Sequence, residues 1–154
     1  MQRLFLGMLL IGIFGSLVSC SIGTPFKRSE GAAAKNPDDL VVVALTHVVL
    51  GDDDELNGLF WDYVFRIEDE LPQFEGVVGH SLRKRLFSDE GWTMSVWESE
   101  EAMEGFVRSG LHKEAVRRTK PALESVRFAR VKIPRKEVPP SWEQAERLLD
   151  EQNQ

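Results

Sequence analysis

The sequence predicts an α+β fold of the ferredoxin-like βαββαβ kind, with a short helix added at the C-terminus. Three observations carry that prediction. Between residues 40 and 133, apolar runs with a period of two alternate with amphipathic runs of helical period. The turn residues Ser88-Asp89-Glu90-Gly91 join two strand runs directly. A serine or aspartate stands at the head of each helical run, where an N-cap belongs.

At 154 residues the chain has room for one ordinary domain, and 42% apolar with 29% charged residues is a globular composition. A net charge of −6 argues against nucleic acid as a partner. The single cysteine, Cys20, excludes an intrachain disulfide and any multi-cysteine metal site. No other metal site is expected.

Residues 1–20 stand apart from the fold. Arg3 supplies a positive charge, Leu4 to Phe14 is an apolar run broken only by glycines, and Leu17-Val18-Ser19-Cys20 closes it. The run is short for a bilayer span. The segment resembles the bacterial lipoprotein signal, in which small and aliphatic residues precede a lipidated cysteine. The resemblance implies cleavage before Cys20, a diacylglycerol thioether on its sulfur and an acyl chain on the new amino group, enough for stable anchoring. It implies a domain held on a bacterial membrane outside the cytoplasm. Ser21 implies the periplasmic side of the outer membrane if the source is Gram-negative. Residues 21–39, small, polar and without apolar period, are expected to form a flexible tether.

The folded part follows. Leu40 to Leu50 is dense in β-branched residues and reads as a buried strand. In the turn Gly51-Asp52-Asp53-Asp54 one aspartate is placed to cap the next helix. The run lacks the alternating oxygens and distal glutamate of a calcium loop. From Glu55 to Leu71, the residues Leu56, Phe60, Tyr63, Val64, Ile67 and Leu71 form a helical stripe, and Trp61 with Phe65 makes a second row. Pro72 ends that helix. Val77 to Phe87 is the second strand, with Val78, His80, Leu82, Lys84 and Leu86 assigned to one face. Trp92 to Trp97 is the third, with Trp92, Met94 and Val96 opposite Thr93, Ser95 and Trp97.

Ser99 heads a helix bearing Met103, Phe106 and Val107. Ser109-Gly110 breaks it, and Ser109 caps a second piece carrying His112. Pro121 closes that segment, and Glu124 to Ile133 is the last strand. Residues 134–154 are a proline-bounded linker and an amphipathic helix. Ser141 and Gln144 match a capping box, and Trp142, Ala145, Leu148 and Leu149 share a face that is expected to dock on the body or on a partner. The strands are apolar on both faces, whereas the two main helices cover one. Pairing two sheets face to face would cover the other and predicts a homodimer.

The runs Phe74-Glu75-Gly76-Val77-Val78-Gly79-His80-Ser81 and Ser95-Val96-Trp97-Glu98-Ser99-Glu100-Glu101-Ala102, followed by Phe106, Ser109 and His112, resemble the dimeric α+β barrel superfamily. Within it they look most like antibiotic-biosynthesis-monooxygenase (ABM)-type domains, over about residues 40–133. The resemblance implies a pocket between sheet and helices, and oxygenation in which the substrate supplies electrons to dioxygen, with no metal or organic cofactor. The chemistry needs a base or hydrogen-bond donor beside an enolisable or phenolic substrate in a dry cavity. His112 best matches the family position and is the candidate catalytic residue.

His47, Trp61, Phe65, His80, Trp97 and Phe106 are candidates to line a pocket for a small apolar ligand. His47, on a strand of valines, also reads as a satisfied buried histidine, and Trp61 and Phe65 as a subunit contact. The heme-degrading branch of the superfamily carries an asparagine, a tryptophan and an axial histidine where this chain has Thr46 or His47, Phe106 and Val116. Heme degradation is therefore not expected. Two classes of function stay open: a lipid-anchored, cofactor-independent monooxygenase, and a non-catalytic lipoprotein that binds a small ligand or a partner protein.

Overall fold

The computed structural model describes residues 20–30, 32 and 35–154; the expected leader, through Ser19, lies outside the described residues. The strands are β1 (Ser21–Gly23), β2 (Lys27–Arg28), β3 (Leu40–Leu50), β4 (Val77–Arg85), β5 (Glu90–Trp97) and β6 (Leu123–Pro134). The helices are α1 (Asp54–Glu70), α2 (Glu100–Val107), α3 (Gly110–Thr119) and α4 (Trp142–Gln152).

Side chains stand at the helix starts as the sequence predicts. The Asp53 carboxylate accepts from the amides of Glu55 (3.1 Å) and Leu56 (3.0 Å). Ser99 Oγ accepts from Ala102 N, and Ser109 Oγ from His112 N, both at 3.2 Å. Ser141 and Gln144 form the full reciprocal capping box. Each cap satisfies helix amides that have no intrahelical acceptor, typically worth about 1 kcal/mol.

β3 lies between β5 and β6, and β4 lies beyond β5, all antiparallel. With α1 after β3 and α2–α3 after β5, this is the ferredoxin-like α+β arrangement seen in dimeric α+β barrels, extended by a C-terminal helix. One sheet face carries Val41, Val43, Leu45, Trp92, Met94, Val96 and Ala129. The other, toward α1 and α2, carries Val42 and Trp97 with Met103 and Phe106, and separately Val48 and Leu50 with Phe60.

Four expectations are corrected here. Residues 21–30, expected as part of a flexible tether, lie on the sheet instead. Ser21–Gly23 pairs with Arg83 to Arg85, and Lys27–Arg28 pairs with Gly79 and His80, on the outer edge of β4. Phe26 packs into the sheet core, and Ala32 is buried. Strands of two and three residues are too short to show a period, which is why composition alone suggested a linker.

The second correction concerns the sheet face opposite α1. No second sheet is needed to cover it. Ala145 and Leu149 of α4 are buried against that face, with Val138, Phe26 and Trp142 around them. The same helix end covers the exposed edge of β6. The Gln152 amide accepts from Arg130 N and donates to Arg130 O, each at 2.8 Å, and Asn153 Nδ2 donates to Phe128 O at 2.9 Å. These amides stand in for a neighbouring strand, which removes a pairing edge.

Third, the register of β4 against β5 shifts between Val77 and Gly79. This bulge turns Val78 into the cluster under α4, whereas His80 faces α1 near Glu68. The two therefore do not share the face that simple alternation assigns them. Fourth, β4 stops at Arg85; Leu86 and Phe87 form the hairpin turn, with Phe87 at φ +61°.

Candidate functional site

The helix side of the sheet is less tightly closed than the α4 side. On the α4 side, Leu45, Met94 and Val96 are no more than 2% exposed. On the helix side, the neighbouring Ala44, Thr46, Thr93 and Ser95 are only half-buried, although they belong to the central strands β3 and β5. Small and hydroxyl side chains here separate the two apolar clusters of that face. Thr46, Thr93 and Ser95 thus form a partly uncovered polar strip beside an aromatic wall of Trp97 and Phe106.

His112 belongs to that wall. Its ring meets Phe106 edge-on (4.9 Å between centroids), Phe106 stacks on Trp97 (5.4 Å), and the Trp97 indole N–H donates to Ser95 Oγ (2.9 Å). The His112 Nδ1 lies 3.1 Å from the Val107 carbonyl oxygen. A carbonyl can only accept, so Nδ1 carries the proton and Nε2 keeps a free lone pair. Burial holds the His112 pKa below its ordinary value, partly opposed by the bond to Val107. The lowered pKa favours the neutral ring near pH 7, with its lone pair on Nε2.

Toward β6 lies an open groove of about 520 Å³ lined by Val42, Glu100, Arg130, Val131 and Lys132. Lys132 Nζ and a Glu100 carboxylate oxygen are 2.7 Å apart. Val42 pairs with Trp97 and packs in the same cluster as Phe106. The groove thus meets that cluster at Val42, and His112 is not among its lining residues. Its size lies in the range of small-molecule sites.

The remaining candidates divide by location. Trp97 and Phe106 do join His112. His47 does not: it lies on the α4 face, stacked on Trp92 at 4.6 Å. Arg127 Nε donates to His47 Nδ1 at 3.2 Å, leaving Nε2–H to face Glu90 at 3.4 Å. Burial, then the facing Arg127 guanidinium, push the His47 pKa down. Arg127 also binds Asp150 of α4 at 2.6 Å, so this network pins the C-terminal helix. Arg83, which binds Glu146 at 2.6 Å and lies over the Trp92 ring, does the same.

His80 is buried beneath α1 with both ring nitrogens unpartnered, 4.0 Å from Glu68. Burial holds it neutral, against the pull of Glu68. Trp61 covers Gly91 at the hairpin end of the sheet, with Lys84 over its ring, and Phe65 is 53% exposed beside it. Residues of this region that the sequence does not mark as site candidates are Ala44, Thr46, Thr93, Ser95, Arg130 and Lys132. The usable signal was the small and polar residues alternating with valines along β3 and β5.

The family model described as antibiotic biosynthesis monooxygenase matches residues 59–118, from α1 through nearly all of α3. No curated protein matches the chain. Among solved structures, a provisionally named monooxygenase from Fusobacterium nucleatum superposes with a TM-score of 0.57 at 13% identity, over 71% of this chain and 47% of that one. This chain thus spans about half the length of that protein. A provisionally named antibiotic biosynthesis monooxygenase from Deinococcus radiodurans gives 0.54 at 12% identity, over 60% and 91% of the two chains. A dimeric protein of unknown function with a ferredoxin-like fold, from Bacteroides fragilis, gives 0.51 at 12%, over 60% and 96%. At these identities the likeness establishes the fold, which is of the ABM type.

Proposed function

We propose that the protein is a cofactor-independent monooxygenase of the ABM type that acts on a small organic substrate. The observation that carries this reading is His112, whose Nδ1–H is committed to Val107, which leaves the lone pair on Nε2 free to act as a base. Its position inside the matched stretch 59–118 supports it. In the proposed step Nε2 removes a proton from an activated CH₂ or phenol. The resulting anion passes electrons to dioxygen and bonds to it; the O–O bond then breaks. Carbon keeps one oxygen atom as C=O and the other leaves as water, so CH₂ + O₂ gives C=O + H₂O. No metal or organic cofactor takes part. Heme degradation remains disfavoured.

The proposal includes a lipid on Cys20, which is exposed, and so attachment to a bacterial membrane with the domain outside the cytoplasm. It also includes a homodimer, a reading supported by the dimeric Bacteroides fragilis neighbour. Because α4 occupies the sheet face, the two copies have to meet elsewhere.

A second reading is favoured by one observation. Phe106 packs directly against His112, and the groove at Val42 is open rather than enclosed. That suits a non-catalytic lipoprotein that binds a small apolar ligand or a partner protein. The test is oxygen uptake by the full chain across a panel of hydroquinones and anthrones, with His112→Ala alongside. Turnover that falls in the variant supports the enzyme. No uptake by the unaltered chain, with an organic adduct retained in native mass spectrometry, supports the binding module.

A further inference from the structure

The Cys20 carbonyl accepts a hydrogen bond from Leu86 N–H at 2.9 Å. The next residues are already in the sheet, Ser21 opposite Arg85 and Ile22 opposite Lys84. Cys20 is therefore fixed beside the tip of the β4–β5 hairpin rather than held away from it on a linker. Three apolar side chains at this tip are exposed, to different degrees. Phe87 is fully exposed (102%), Ile22 is 62% exposed and Leu86 38%. Phe87 adopts φ +61°, a left-handed conformation that bulky residues seldom take. The turn thus holds an aromatic ring out at the extreme end of the molecule.

We propose that Leu86 and Phe87, with Ile22, form a bilayer-contact surface that enters the boundary between headgroups and acyl chains. This rests on the reading of Cys20 as lipidated. A lipid on the Cys20 sulfur begins one side-chain length from a backbone bonded to Leu86. The acyl chains and the hairpin tip therefore reach the membrane at the same place. Interfacial segments bury roughly 5–10 Å into that boundary, a depth that a projecting phenylalanine reaches.

Local charge points to apolar attraction. Arg85 is paired with Glu90 at 2.6 Å, and Lys84 and Asp89 are exposed at the tip. Leu50 N–H donates to Asp89 O at 2.8 Å, which brings the exposed Asp52, Asp53 and Asp54 to the same end, so the charge there is mainly acidic and would not seek anionic lipid. Contact does not then require anionic lipid. Trp61 and the exposed Phe65 flank the same end, aromatic residues of the kind that settle at membrane interfaces. Val42 and the groove lie at the opposite end of the strands, since Val42 pairs with Trp97 whereas the hairpin end pairs Val49 with Glu90. The domain would sit hairpin down, with its groove turned away from the bilayer.

The test uses the full chain, matured in a bacterium and placed in phosphatidylcholine vesicles with shallow brominated acyl chains. Intact mass reports the lipid, and tryptophan emission reports contact. Phe87→Trp and Phe128→Trp place the reporter at two exposed positions, one at the tip and one on the far edge strand. The expected result is a lipid-bearing mass, with loss of emission and a blue shift in Phe87→Trp beyond the unaltered chain, and neither change in Phe128→Trp. Equal quenching of the two variants on a lipid-bearing, vesicle-bound chain overturns the contact surface and leaves the anchor standing. A mass without lipid overturns the anchor, and this proposal with it.

Discussion

Replacing Leu149 by alanine tests whether α4 closes the sheet. Leu149 is 1% exposed and packs in the cluster that contains Val43, Leu45, Trp92 and Met94. The change deletes three carbon atoms, and at ~0.8 kcal/mol per buried methylene the lost transfer energy is about 2.4 kcal/mol. A residual cavity of about 40 Å³, at roughly 24 cal/mol per Å³, adds about 1 kcal/mol. The expected destabilisation is therefore about 3–3.5 kcal/mol, a large part of the roughly 5–15 kcal/mol that holds a domain folded. Urea unfolding measures it as a lower midpoint at an unchanged slope. Val116→Ala, at a position 51% exposed, is the control and should stay within about 0.5 kcal/mol of the unaltered chain. If Leu149→Ala costs no more than the control, α4 does not pack on the sheet, and that face is free for a second subunit after all.

Two further outcomes follow. The pKa values of His47, His80 and His112 are all lowered from 6.5, foremost by burial. The unfolded chain takes up these protons first as pH falls, so stability is greatest above about pH 6.5 and declines below it, toward each folded-state pKa. Melting temperatures between pH 8 and 5 should fall on the acid side, and less steeply in His47→Gln; a flat profile would contradict the burial of the three rings. Gly79→Ala should free the N-terminal strands, because a Cβ there would lie 2.6 Å from the Lys27 carbonyl oxygen and 2.5 Å from Phe26. Hydrogen exchange should quicken across residues 21–28; unchanged protection would mean that this segment does not lie on β4 as described.

The parts of the fold legible in the sequence are those with a long period or a local cap. Eleven residues of β3 and seventeen of α1 carry enough pattern to be placed within a residue or two. Asp53, Ser99, Ser109 and Ser141 mark helix starts by chemistry that acts within three residues. What stayed hidden depends on distant partners. β1 and β2 become strands because β4 has a free edge, and nothing in their own residues says so. The bulge at Val77 and Gly79 reverses one side chain without a turn signal. The sheet separates His47 from His112: one is tied to Arg127 and Glu90 under α4, the other to Val107 on the helix side. The aromatic chain from His112 through Phe106 to Trp97 was in part foreseeable, since all three were named for one site. Thr46, Thr93 and Ser95 have no chemical signature along the chain; only the packing of the helices leaves them partly uncovered.

The proposed chemistry is tested most directly by isotope labelling. The full chain, without added metal, flavin or heme, is incubated with an anthrone under ¹⁸O₂, alongside His112→Ala. The account predicts one labelled oxygen in the organic product, the other in water, and a rate lower by about 10²–10⁴ in the variant, the usual contribution of a positioned base. Product formed at the same rate with and without His112 would contradict it.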